Sequence, residues 1–302
     1  MVRQKQSGKF PGFIAVLFLL IVALGVFGII TMHKTRLSPG VTLPKPKSVP
    51  PGKTVKKIAA PVVPKKIRKA GAVPQTGVIA VVLDDWGYNR SHCRSLAKIK
   101  APIGVAILPG LTYSKDVIAC ALASGHEPML HLPFEPHRSK EMYTEDYLLT
   151  SDESNEQTKK RLDMILSEMK GVVGVNNHTG SKGTENPELV KLVLTELKRR
   201  KLFFVDSVTT PNSVCGTVAA NLKMRIGRRD VFLDNKNERS EIERQFSRAA
   251  NIAEDTGRVL VIGHDRVLTL QILLEQISKL EARGLRFIPV SEYIRKYEYT
   301  RN

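Results

Sequence analysis

Along residues 77–302, carboxylates and imidazoles gather where short apolar runs end. Asp84 and Asp85 follow Val78–Leu83, and His131 lies at the end of Pro128–Leu132 with Glu135 four residues on. Asn177 and His178 follow Val172–Val175, Asp206 follows Leu202–Val205, and His264 follows Val259–Ile262. Carboxylate oxygen and neutral imidazole nitrogen together suit Zn²⁺ or a similar divalent ion, and a catalytic site leaves one position open. Such an ion polarises a carbonyl and lowers the pKa of water. A nearby unligated carboxylate then takes a proton, and an imidazole on the far side returns it to a leaving group. A single strand-end histidine is ordinarily a hydrogen-bonded structural residue. Five strand ends carrying the same chemistry are harder to explain that way.

Competing hydrolase chemistries lack their motifs. There is no G-x-S-x-G elbow and no H-E-x-x-H helix. Ser124 and Ser207 read as structural, as does His126 in the turn before the His131 run. Cys93, Cys120 and Cys215 are too few for a disulfide framework and have no metal-type spacing.

The apolar runs that carry these residues read as strands. Val78–Leu83 is continuously β-branched and apolar, as a strand buried on both faces must be, and similar runs recur at Ile103–Leu108 and Arg286–Val290. Helical patterns lie between them. Glu156–Met169 places Leu162, Ile165, Leu166 and Met169 on one face; Pro187 opens another helix; Leu268–Arg283 stops at Gly284. This alternation predicts one α/β domain built on a parallel sheet or barrel. The C-terminal strand ends of a barrel converge on one rim, where an active site is assembled.

The N-terminal part differs. Residues 1–76 hold 14 of the 47 Lys and Arg and no acid, leaving 33 basic against 29 acidic residues beyond them. The strong basic balance therefore belongs to the leader, and a nucleic-acid partner is not expected. Arg3, Lys5 and Lys9 precede the apolar stretch Phe10–Met32, which is long enough to cross a bilayer. His33, Lys34 and Arg36 stand where a cleavage site would need small residues. The expectation is a cytoplasmic residues 1–9, an uncleaved transmembrane helix over 10–32, a Pro/Lys-rich tether over 33–76, and a domain over 77–302 outside the cytoplasmic membrane.

The segments VLDDWG, ASGHEPMLHLPFEP, VGVNNHTGSKGTE, FFVDS, RRDVFLDN and VIGHDR resemble the signature of the divergent polysaccharide deacetylases, within the NodB-homology superfamily. The resemblance spans about residues 77–298 and implies a distorted (β/α) barrel. It further implies metal-dependent removal of acetyl groups from an envelope polysaccharide or oligosaccharide. In that reading Asp84 is the catalytic base and His264 the acid, while Asp85, His131 and His178 hold the ion, expected to be Zn²⁺. Glu135 stands where the ordinary family has a second histidine, and is either a ligand or a loop cap. Asp206 either orients His264 or meets substrate, and Asn177 is a further candidate for ligand or substrate contact. Trp86 either offers a sugar-stacking face at the mouth or covers the core. The changed ligand at Glu135 also leaves open a non-catalytic carbohydrate- or envelope-protein-binding module on the same fold.

Overall fold

The computed structural model describes residues 75–138 and 146–297. The strands are β1 (Gly77–Trp86), β2 (Gly104–Ile107), β3 (Glu127–Phe134), β4 (Gly174–Thr179), β5 (Phe203–Asp206), β6 (Gly227–Arg228), β7 (Val231–Phe232), β8 (Arg258–His264) and β9 (Leu285–Phe287). The helices are α1 (Cys93–Leu96), α2 (Ser114–Ala123), α3 (Asn155–Glu168), α4 (Pro187–Arg199), α5 (Cys215–Asn221), α6 (Arg239–Thr256), α7 (Val267–Ala282) and α8 (Val290–Lys296). Every strand pairing is parallel, in the order β6-β5-β4-β3-β2-β1-β8-β7 with β9 on β1.

Local chemistry sets the helix ends. Ser154 caps α3 in a reciprocal capping box with Gln157. Asn186 caps α4 through the N–H groups of Glu188 and Leu189, with Pro187 at the first helical position. The stretch Arg286–Val290, expected as one strand, divides: β9 stops at Phe287, and Val290 opens α8 behind Pro289. Proline cannot donate to a ladder but suits the entry to a helix, so the strand ends there.

The strands are buried on both faces, and alternate residues join two different clusters. Ile79, Val81 and Leu83 of β1 face the larger, helix-covered layer. Val78, Ala80 and Val82 face a smaller inner layer that α8 fills with Val290, Tyr293 and Ile294. This two-sided burial is why β1 reads as a continuous apolar run and not as an alternating one.

The sheet curls until its two edges are bridged. β6 pairs with β5 and β7 pairs with β8, yet only Arg229 and Asp230 separate β6 from β7. Gly227–Phe232 is in effect one extended stretch whose first half continues one edge and whose second half continues the other. The backbone N–H of Arg229 donates to Asp206 O and that of Asp230 to Leu260 O, so both sides are stitched. The expected barrel is thus a curled parallel sheet with a split strand across its seam.

No helix among the described residues is long and apolar enough to cross a membrane. The Phe10–Met32 span and nearly all of the tether lie outside the described residues.

Candidate metal centre and its flanking acid–base pairs

Period-2 alternation decides which strand-end residues meet. Asp84 shares the parity of Val82, His131 that of Met129, and His264 that of Ile262, all inner-layer residues. Cross-strand register places Asp84 beside His264 and His131 beside Asn176. Between β1 and β3, β2 gives the inner layer only Ala106, and the Asp84 Oδ2 and His131 Nε2 atoms approach to 3.7 Å across it.

Asp85 has the wrong parity, and the backbone corrects it. The β1–β2 register shifts between Leu83 and Trp86, and Asp85 itself adopts φ 65°. This bulge turns a second consecutive carboxylate toward the site. Thr179 after His178 (φ 50°) and Val208 after Asp206 (φ 53°) are likewise left-handed. Such non-glycine conformations cost on the order of 1–3 kcal/mol each, and here three of them sit on one rim.

The result is a triangle of ligand atoms. Asp85 Oδ1 lies 3.3 Å from His131 Nε2 and 3.3 Å from His178 Nδ1, and the two imidazole nitrogens are 2.9 Å apart. A tetrahedral ion with ligands at about 2.0–2.1 Å separates them from one another by about 3.3 Å, so this triangle has the dimensions of one face of such a site. Asn176 sets the tautomer. Its Nδ2 donates to Asp84 Oδ1 (2.8 Å), so its Oδ1 faces His131 Nδ1 (2.9 Å) and accepts the proton there. A neutral His131 thus presents its Nε2 lone pair to a bound ion. Burial opposes its charged form, but Asp84 and Asp85 raise it above the usual histidine range, and in that form Nε2–H faces Asp85. The residues present fit a divalent ion.

Electrostatics agree with the geometry. Burial opposes ionisation of Asp85, but hydrogen bonds from His131 and His178 outweigh it and hold its carboxyl well below the usual range. Burial, aided by the charge of His131, lowers His178 toward the neutral form that ligates metals. Asp84, buried and close to Asp85, is pushed up despite the attraction of His131. Two carboxylates and two imidazoles this close favour a cation among them.

Beside Asp84, across the β1–β8 pairing, stands a His–Asp pair. His264 Nδ1 is 2.8 Å from Asp234 Oδ1, its backbone N–H donates to Asp234 Oδ2, and its Nε2 is 3.7 Å from Asp85 Oδ2. Asp234 is fully buried and is also held by the Thr269 hydroxyl at 2.6 Å. Burial opposes the charged imidazole, but Asp234 outweighs it with help from Asp85 and Asp84, so His264 is raised above the usual histidine range.

Several expected residues lie elsewhere. Asp206 shares the parity of Phe204, an outer-layer residue, and its carboxylate accepts from Val208 N–H and the Ser213 hydroxyl. It does not orient His264; Asp234 does. Asn177 faces the same outer side as Val175 and ties Ser207 N–H to Thr179 O. Trp86 is 0% exposed and packs in the outer core, so it offers no stacking face. Glu135 is fully buried after the β3 end, where its carboxylate accepts from Ser151 N–H, the Ser151 hydroxyl and Lys182 Nζ. It ties two rim loops together and is outside the Asp85–His131–His178 cluster. Glu135→Ala should leave metal content unchanged while costing about 1–3 kcal/mol of stability through unsatisfied buried partners. A calorimetric melting temperature lowered by several degrees checks this. Loss of metal at unchanged melting temperature would make Glu135 a ligand after all.

Asn176 and Asp234 were not singled out in the sequence. Asn176 had a usable signal, because it shares its strand face with His178 two residues on. Asp234 sits after the two-residue β7, too short for any periodicity, although it lies within the RRDVFLDN segment.

Residues 81–294, nearly the whole domain, match the divergent polysaccharide deacetylase family. The chain belongs to that family. An uncharacterized protein of Escherichia coli K12, YibQ, is 31% identical over 204 residues, covering 68% of this chain and 63% of its own length. The chain thus spans less than two thirds of that relative. An uncharacterized Haemophilus influenzae protein is 32% identical over 202 residues, covering 67% of this chain and 71% of its own. In structure, the divergent deacetylase domain resembles the uncharacterized protein ATU2773 of Agrobacterium tumefaciens C58, with a TM-score of 0.69 at 19% identity. That likeness covers 74% of this chain and 93% of the other, and it concerns the fold alone.

Proposed function

We propose that this divergent deacetylase domain is a metal-dependent hydrolase that removes acetyl groups from an envelope polysaccharide. The observation that carries the reading is the Asp85–His131–His178 triangle, flanked by the buried Asp84 and by His264 on Asp234. A divalent ion, which we assign as Zn²⁺ from the donor set, supplies carbonyl polarisation and a more acidic water when bound. Asp84, its carboxyl raised by burial, takes the proton of the attacking water. His264, held in place and kept protonated by Asp234, passes a proton to the departing amine or hydroxyl of the sugar. Asn176 fixes both Asp84 and the His131 tautomer, so one amide sets the relative positions of base and ligand.

The test is acetate release by the Zn²⁺-loaded full chain from acetylated chitooligosaccharides, peptidoglycan fragments and acetylated glucans. Release that stops on chelation supports the reading. Absence of release from all three, with the ion bound, rejects it.

The His264–Asp234 pair makes a pH prediction. The donor form of His264 is the protonated one, and Asp234 extends it to higher pH. Asp234→Asn removes that support, so the alkaline limb of the kcat/KM profile moves to lower pH and the maximum falls. An unmoved alkaline limb would take the acid role away from His264.

We further propose that Phe10–Met32 anchors the chain in a cytoplasmic membrane with the domain outside. Protease added to intact spheroplasts should digest the domain. A domain protected until the membrane is breached would reverse the topology.

A further inference from the structure

Beside the site lies a groove of about 600 Å³, within the size range of small-molecule pockets. One wall is the chain from Arg229 to Lys236, which crosses the seam of the sheet and carries Asp234. The other is the first turns of α6, where Glu241, Arg244, Gln245 and Arg248 recur at helical spacing on one face. The opposite face of α6 buries Ile242, Phe246, Ala249 and Ala253.

Phe232 and Arg229 connect the groove to the candidate centre. The Phe232 ring meets the His264 imidazole edge-on at 5.1 Å, and the Arg229 guanidinium lies over the same ring at 4.9 Å. Arg229 also donates to Ser207 O and Val208 O, and the Ser207 hydroxyl accepts from Asn176, the amide that holds Asp84. A ligand bound along this wall would therefore lie beside the atoms proposed to perform the chemistry.

Its charge is unlike that of the centre. Four basic side chains, Arg229, Lys236, Arg244 and Arg248, line it against two acids, Asp230 and Glu241. Glu241 is bonded by Arg244 and Gln245, and the Asp230 carboxylate accepts the Leu260 N–H. Lys236 and Arg248 are exposed. A positive concavity of this kind concentrates anions. Arg229 already lies over the ring of Phe232, and the groove lining holds no second aromatic side chain for the successive base stacking that single-stranded nucleic acids use.

We propose that this groove takes an anionic group, carboxylate or phosphate, on the sugar next to the acetylated one, so that the substrate is an acidic glycan. This rests on the deacetylase reading above. Binding supplies a test independent of turnover. The full chain in detergent, loaded with Zn²⁺, is titrated with tetragalacturonate, phosphorylated mannotetraose and neutral chitotetraose. At least one anionic probe should bind about tenfold more tightly than chitotetraose at low salt, and the advantage should shrink as NaCl rises. Whichever anionic probe binds tighter names the group.

The double variant Lys236→Gln/Arg248→Gln changes two exposed residues outside the acid–base machinery. It should abolish the advantage while leaving chitotetraose binding and metal content as they were. Equal affinity for charged and neutral probes overturns the proposal, as does an advantage that survives the double variant. An oligothymidylate of equal charge that binds as tightly, with the same dependence on Lys236 and Arg248, overturns it too. If no probe releases acetate when acetylated but the charge preference holds, the hydrolase reading fails and the groove assignment stands. If neutral and acidic acetylated oligomers are turned over with equal kcat/KM and bind alike, the reverse is true.

Discussion

Asp84→Asn and His264→Ala should each leave metal content intact and lower acetate release by about 10²–10⁴-fold, the range of general acid–base groups. Neither residue belongs to the Asp85–His131–His178 triangle: Asp84 approaches it at His131 and His264 approaches it at Asp85. Asp84 is 4% exposed and bonded by Asn176, so the asparagine variant keeps the shape and one acceptor but loses the base. His264 keeps a backbone bond to Asp234 through its own N–H, which the alanine variant retains. The expected loss is thus chemical and not structural, and unchanged melting curves accompany it. Release by both variants at the wild-type rate would end the proposed mechanism. A non-catalytic binding module predicts no acetate from any substrate, together with saturable glycan binding that both substitutions leave unaltered.

The second large effect concerns the ion. Elemental analysis of the purified chain should find about one divalent metal per molecule, as a single open site of this ligand type requires. His131→Ala and His178→Ala should each bring it close to zero, since either change leaves two ligand atoms of three. Asn176→Ala removes no ligand but frees the His131 ring and its tautomer, and outer-shell losses of this kind weaken metal binding by about 10–100-fold. A graded series results: complete loss for the ligands, partial loss for Asn176, none for Glu135. Full occupancy in both histidine variants would show that the ligands are wrongly assigned.

The parallel α/β architecture was legible because each central strand is buried on both faces and so appears as an uninterrupted apolar run. Convergence of Asp84, His131, His178 and His264 followed from parallel strand direction alone. Strand direction says nothing about facing. Asp206 and Asn177 end strands as His131 does, but they fall on the outer parity with Phe204 and Val175. Counting by twos from the inner residues would have set both aside and brought in Asn176. Asp85 breaks the same rule in the other direction, through a bulge and a left-handed residue that no periodicity encodes. Trp86 and Glu135 each carry two readings in the sequence, and packing selects between them: one covers the core, the other is a buried strut between loops. The seam strand was invisible, since two paired residues at each half leave no pattern to read.

β1 has consequences for the order in which the domain can form. It is the first strand made, yet along its length it rests against β8, which pairs Val78 with Arg258, and its start rests against β9, which pairs Gly77 with Leu285. Such sequence-distant pairing slows folding, because the intervening chain must be ordered before the contact repays it. At ribosomal rates of about 5–20 residues per second, roughly 10–40 s separate the appearance of β1 from that of its main partner. Asp85, His131 and His178 are all synthesised well before that partner exists. A nascent chain halted before Arg258 therefore carries every proposed ligand on β1, β3 and β4, which β2 can already join, but one edge of its longest apolar strand is left open to chaperones and to aggregation.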